Sequence, residues 1–190
     1  MAWASRALAV ARAWGLVAAL AVGVLMMLGA LGTGDTPLSL PVLGNPTTVL
    51  HVMPVLGAIA IGFPLVDRWP ELTLLAPSAP WRPPLLRLLG CVLASVPLVA
   101  GLGGVGWTLA GASVAVGFVG LVALAVPLLR LWYWAPMLVV LVLWARLRPA
   151  YLASTAAPVW LAIAGLVLAA GGTVYVGLET LRVRRARTTG

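Results

Sequence analysis

The chain has 190 residues, 63% of them hydrophobic and 8% charged, with a mean hydropathy of +1.11. Soluble domains carry about 45–50% apolar and about 25% charged residues, so a surface this apolar needs lipid as its solvent. The net charge of +8 comes from 12 arginines and no lysine against Asp35, Asp67, Glu71 and Glu179. These arginines punctuate apolar runs and form no soluble basic domain, which argues for topology signals and lipid headgroup contacts and against nucleic acid.

A helix needs about 20 apolar residues to cross roughly 30 Å of hydrocarbon. Residues 13–31 supply the first, preceded by Arg6 and Arg12. This run resembles a signal peptide at its start, but its length and the lack of a small-residue cleavage site favour a retained span. Residues 36–48, with Pro37, Pro41 and Pro46, read as a loop. Residues 49–66 form the second predicted span, interrupted by Pro54 and Pro64 and stopped at Asp67-Arg68. Residues 67–87 hold five of the sixteen charged side chains and five prolines, so they belong outside the hydrocarbon. The third span covers 86–102, and the glycines of 101–106 predict a tight turn. The fourth is 107–129, the fifth 131–145 after Arg130, and the sixth 157–178, ending at Glu179 and a basic tail. The expected fold is an all-α integral membrane protein, a single bundle of six transmembrane helices.

Arginine placement tests this count. With the N-terminus in the cytoplasm, ten arginines fall inside and only Arg146 and Arg148 outside, so both termini are expected to be cytoplasmic. Tryptophans follow the two surfaces: Trp14, Trp69, Trp81, Trp132 and Trp134 near the inner one, and Trp107, Trp144 and Trp160 near the outer. The lysine-free, Ala/Val/Leu/Gly-rich composition is associated with high-GC bacteria, and the expected location is a bacterial plasma membrane.

Groups for chemistry are scarce. Gly32-Thr33-Gly34-Asp35 spells the Gly-x-Gly-Asp string of intramembrane aspartyl proteases, but that chemistry needs two neighbouring carboxylates. Asp67, Glu71 and Glu179 are all expected at the other membrane face, so a Gly-rich helix exit is the better reading. His51 is the sole histidine, which excludes a His-Glu-x-x-His zinc site, and it reads as an interfacial residue. Cys91 is alone and reads as a small buried hydrophobe. Without lysine there is no Walker A motif, so any ATP hydrolysis belongs to another chain. Neither a metal nor a cofactor is expected on this one. Small residues at Gly111, Ser113, Ala115, Gly117 and Gly120, and at Gly165, Ala169 and Gly172, favour close helix packing within the bundle over a dimer face.

The most informative stretch is the connector 67–87. Pro70 suits a first helical turn, Glu71 complements its dipole and Pro77 ends it, predicting a short apolar helix over 71–76. An apolar element on the water side needs headgroups or a protein partner to cover it. Here the chain resembles the membrane subunits of ABC exporters of the type-2 permease family, through Glu71, Thr73, Leu74, Leu75, Pro77, Arg82 and Arg87 and through its overall topology. The resemblance implies a transport subunit that is not itself an enzyme. Glu71, Leu72, Thr73, Leu74, Leu75 and Arg82 would then form a coupling helix docked on a cytoplasmic ABC ATPase, which holds the ATP and Mg. Residues 3–12 would be an elbow helix at the inner surface, and a second permease chain, the same or different, would complete an export path for an apolar or amphipathic substrate. Two other classes stay open: a non-catalytic accessory subunit of a larger membrane complex, and a membrane enzyme acting on lipids. Scarce His, Asp and Glu argue against the enzyme.

Overall fold

A computed structural model describes residues 14–33, 36–39, 47–68, 79–146 and 157–189. They form α1 (Leu16–Thr33), α2 (Val49–Ile61), α3 (Arg82–Gly104), α4 (Leu109–Leu129), α5 (Trp134–Arg146) and α6 (Ala157–Thr189). Two residues on each side of the first connection, Pro37–Leu38 (β1) and Thr47–Thr48 (β2), pair as a minimal antiparallel ribbon within the expected loop. Leu16–Thr33, Arg82–Gly104, Leu109–Arg146 and Pro158–Thr188 are long and apolar enough to cross a membrane, and the apolar helix Val49–Leu65 is shorter. The protein is therefore a multi-pass, helical membrane protein.

Leu109–Arg146 is not one rod. At Arg130 the backbone takes a positive φ of 55°, a short 3-10 turn spans Arg130–Tyr133, and the chain folds back. Phe118 of α4 meets Trp144 of α5 edge-on, with ring centres 5.2 Å apart. In an unbroken helix those residues would lie about 39 Å apart along the axis. Six expected spans against four by length thus differ in two places, this fold-back and the short α2.

Boundaries shift for local reasons. The third helix starts at Arg82 instead of 86, because Pro83 and Pro84 fit a first turn that needs no N–H partner. It also absorbs Gly101–Gly104, leaving only 105–106 as the turn before Thr108, whose Oγ1 accepts from the Gly111 N–H at 3.1 Å and caps α4. The last helix runs past 178 to Thr189, about 50 Å in all, so its basic end outreaches roughly 30 Å of hydrocarbon.

α2 is the buried centre. Pro54 stands within it and Gly62-Phe63-Pro64 ends it, and side chains from elsewhere in the bundle supply hydrogen bonds to carbonyls of α2 and of the 3-10 turn Phe63–Leu65 that follows it. Tyr133 donates to Ile59 O at 2.7 Å, Trp144 Nε1 to His51 O at 2.7 Å, and Tyr175 to Leu65 O at 2.9 Å. Such links matter where no water reaches a free carbonyl. Around it, α4 pairs closely with α6, and α1 with α3. A Cβ on Gly120 would lie 2.6 Å from Leu168 Cα, and one on Gly101 2.8 Å from Met27 Cα, so only glycine admits these backbone approaches. Gly117 likewise faces Ala164. The intramolecular reading of the small residues holds for Gly117, Gly120 and Gly172, whereas Gly165 and Ala169 are exposed on the outer side of α6, and the seam uses Ala164 and Gly171 instead.

Candidate functional site

The buried charged groups among the described residues gather at the end of the bundle where α2 stops and α3 begins. Asp67, just past the 3-10 turn Phe63–Leu65, accepts from Arg87 Nη2 at 2.8 Å, and both side chains are nearly inaccessible, at 9% and 4% exposure. Arg87 lies in the second turn of α3, with the Trp14 ring centre 5.2 Å from its guanidinium carbon. The sequence reading put both residues in a connector outside the hydrocarbon. The structure adds that their side chains are folded into the protein as a pair, each shielding the other's charge.

Tyr175 of α6 stands in the same cluster. It is fully buried, donates to Leu65 O, and lies within electrostatic reach of Arg87 and Glu179. Glu179, one turn further and the residue at which the sixth span was expected to end, is also buried. Arg182 neutralises it, and the second nitrogen of that guanidinium donates to Pro127 O in the last turn of α4, a carbonyl without an intrahelical partner. Two acid–arginine pairs thus tie α2, α3, α4 and α6 together at one end. Both acids have cationic partners, and among the described residues no three His, Cys, Asp or Glu side chains are grouped to hold a metal.

Of the residues expected to couple to an ATPase, Glu71, Leu72, Thr73, Leu74 and Leu75 lie outside the described residues, as do residues 3–12 and Asp35. Arg82 opens α3, exposed, with its guanidinium carbon 5.6 Å from the Trp81 ring centre. Asp67 and Arg87 bracket the connector, one at each end. The sequence reading missed their pairing and the burial of Tyr175 and Glu179. Opposite charges flanking one proline-rich segment were the available signal for the first.

The opposite end is aromatic. Thr48 Oγ1 and His51 Nδ1 share a hydrogen bond of 2.8 Å, and the half-buried imidazole lies 6.0 Å from Trp107 between ring centres. Cys91 is completely buried. These features define a helical membrane protein with a charged clamp at one end. The chain matches no family model, and comparisons with curated proteins and with solved structures likewise find no match.

Proposed function

We propose that this chain is the membrane subunit of an ATP-driven ABC exporter in a bacterial plasma membrane, moving an apolar or amphipathic substrate while a separate cytoplasmic chain hydrolyses ATP. The observation that carries the reading is the clamp. Asp67 and Arg87 close the two ends of the connector on each other at 2.8 Å, and Arg87 belongs to α3. A partner pressing on the segment between them would move α3 directly and α6 through the Tyr175–Leu65 bond. Rigid transmission of this kind is what a coupling segment requires.

In this reading the chain crosses six times with both termini inside. Trp14 beside Arg87, Gly15 beside Pro64 and Arg182 on Pro127 support one common end, the arginine-rich one. His51 with Trp107 and Trp144, and Gly104 near Leu31, support the other. The brevity of α2 is compatible with a pass because protein, not lipid, surrounds most of it. Glu71, Leu72, Thr73, Leu74, Leu75 and Arg82 would meet the ATPase.

Gentle solubilisation from the native membrane tests this: an ABC ATPase should co-purify with the chain. In that complex, Glu71→Ala with Arg82→Ala should abolish substrate-stimulated ATPase activity while leaving the subunits together. A chain that purifies with no ATPase sinks the proposal. The accessory-subunit reading draws on the apolar faces that α1 and α6 leave uncovered, and it expects the same double substitution to affect assembly alone.

A further inference from the structure

Below the point where Gly62-Phe63-Pro64 ends α2, the flanking helices α1 and α5 are left with a gap between them. A cleft of about 540 Å³ opens there, within the size of sites that hold small molecules. Its walls are Ala18 and Val22 of α1, Ile59 and Ala60 of α2, and Trp134 of α5. Ala18, Leu131 and Trp134 at its rim are exposed, so the cleft opens sideways from the bundle. It lies along the first two turns of α1 and the first of α5, at the end carrying the arginine clamp.

One charged group lines it. Arg68 lies over the Phe63 ring, its guanidinium carbon 3.7 Å from the ring centre, and is exposed. Neighbouring Asp67 is turned away into its bond with Arg87, and Arg68 makes no ion pair among the described residues. The remaining polar group, the Tyr133 hydroxyl, is spent on Ile59 O. Among the described residues, the cleft therefore combines apolar walls with one cation at its mouth that is in no ion pair.

We propose that this cleft binds an anionic phospholipid, its headgroup at Arg68 and an acyl chain against Ala18, Val22, Ile59 and Trp134. A peptide would bring backbone groups that these walls cannot satisfy. A free phosphate would find Arg68 but leave the apolar walls uncovered. A zwitterionic lipid would match the walls but present a cation of its own beside the guanidinium. Basic pockets between transmembrane helices on the cytoplasmic side select anionic headgroups by this combination.

Native mass spectrometry of the full chain, titrated with dioleoyl phosphatidylglycerol or dioleoyl phosphatidylcholine, reads the occupancy. Phosphatidylglycerol should bind in preference, millimolar inorganic phosphate should not displace it, and Arg68→Gln should weaken it by about fivefold, the effect of one arginine at a membrane surface. Arg184→Gln, which removes an equal charge from the exposed tail, should change nothing. Ala18→Trp should block binding by filling the cleft. A photoactivatable phosphatidylglycerol should label residues 15–22 or 131–134, a readout that needs no variant to fold. Equal binding of the two lipids, equal effects of the two arginine substitutions, or labelling elsewhere would overturn the proposal, and displacement by inorganic phosphate would reduce the site to a free-anion site.

Discussion

The α4–α6 seam and the α1–α5 cleft are made from similar apolar helices, yet one is closed down to backbone contact and the other stands open. The seam has Gly117, Gly120, Ala164 and Gly171 where the helices cross, and a Cβ on Gly120 would strike the backbone of Leu168. The cleft has Val22, Ile59, Leu131 and Trp134 facing each other across a shortened α2, with Arg68 at its mouth. Lipid tails are as apolar as leucine, so burial alone does not draw two membrane helices together. Side-chain size at the crossing decides which pairs close, and polar links at the helix ends then hold them.

The largest effect should come from breaking the clamp on the closed side. Arg87→Ala takes the guanidinium away from the shielded Asp67 carboxylate, and loss of one partner of a buried pair costs about 3–5 kcal/mol. Unfolding in mixed detergent micelles would measure this. The double substitution Asp67→Asn with Arg87→Gln, which removes both charges at once, should recover much of the loss, a recovery that a role confined to side-chain packing does not predict. Next in size is Gly120→Leu, which pushes against backbone and should cost about 3 kcal/mol or more. Gly165→Leu and Gly177→Leu, on the exposed face of the same helix pair, should stay within about 0.5 kcal/mol. Equal losses at Gly120 and Gly165 would remove the distinction between seam and lipid face.

The same contrast explains what the sequence made legible. Hydropathy marked where each of the six described helices starts to within a few residues, because length and apolar content are what a bilayer demands, but not the end of α6, which runs past 178 to Thr189. It could not tell inward from outward faces, since α6 is apolar all round through most of its membrane-length part, and lipid rewards the same residues as the core. Glycine spacing narrowed the choice but picked Gly165 and Ala169, where Ala164 and Gly171 make the contact, a rotation of under one turn. Charges were incomplete for a different reason. Asp67, Arg87 and Glu179 read singly as the limits of apolar runs, and only three-dimensional pairing shows how they can be buried. The positive φ at Arg130 and the hydroxyls that reach α2 carbonyls from 74 and 110 residues away leave no local trace at all.

Those two hydroxyls give the finest test of closed against open. Tyr175 and Tyr133 both donate to carbonyls at the end of α2, at 2.9 and 2.7 Å. Tyr175 is wholly enclosed by the closed side, so Tyr175→Phe leaves Leu65 O without a partner and should cost about 1–3 kcal/mol. Tyr133 lines the cleft, where water at the headgroup level can replace the lost hydroxyl, so Tyr133→Phe should cost about 1 kcal/mol or less. Occupying the cleft with phosphatidylglycerol should then enlarge the Tyr133→Phe penalty by excluding that water, while the Tyr175→Phe penalty stays the same. If the two substitutions cost the same and neither responds to lipid, the two sides do not differ in access to water, and the cleft is closed in the membrane.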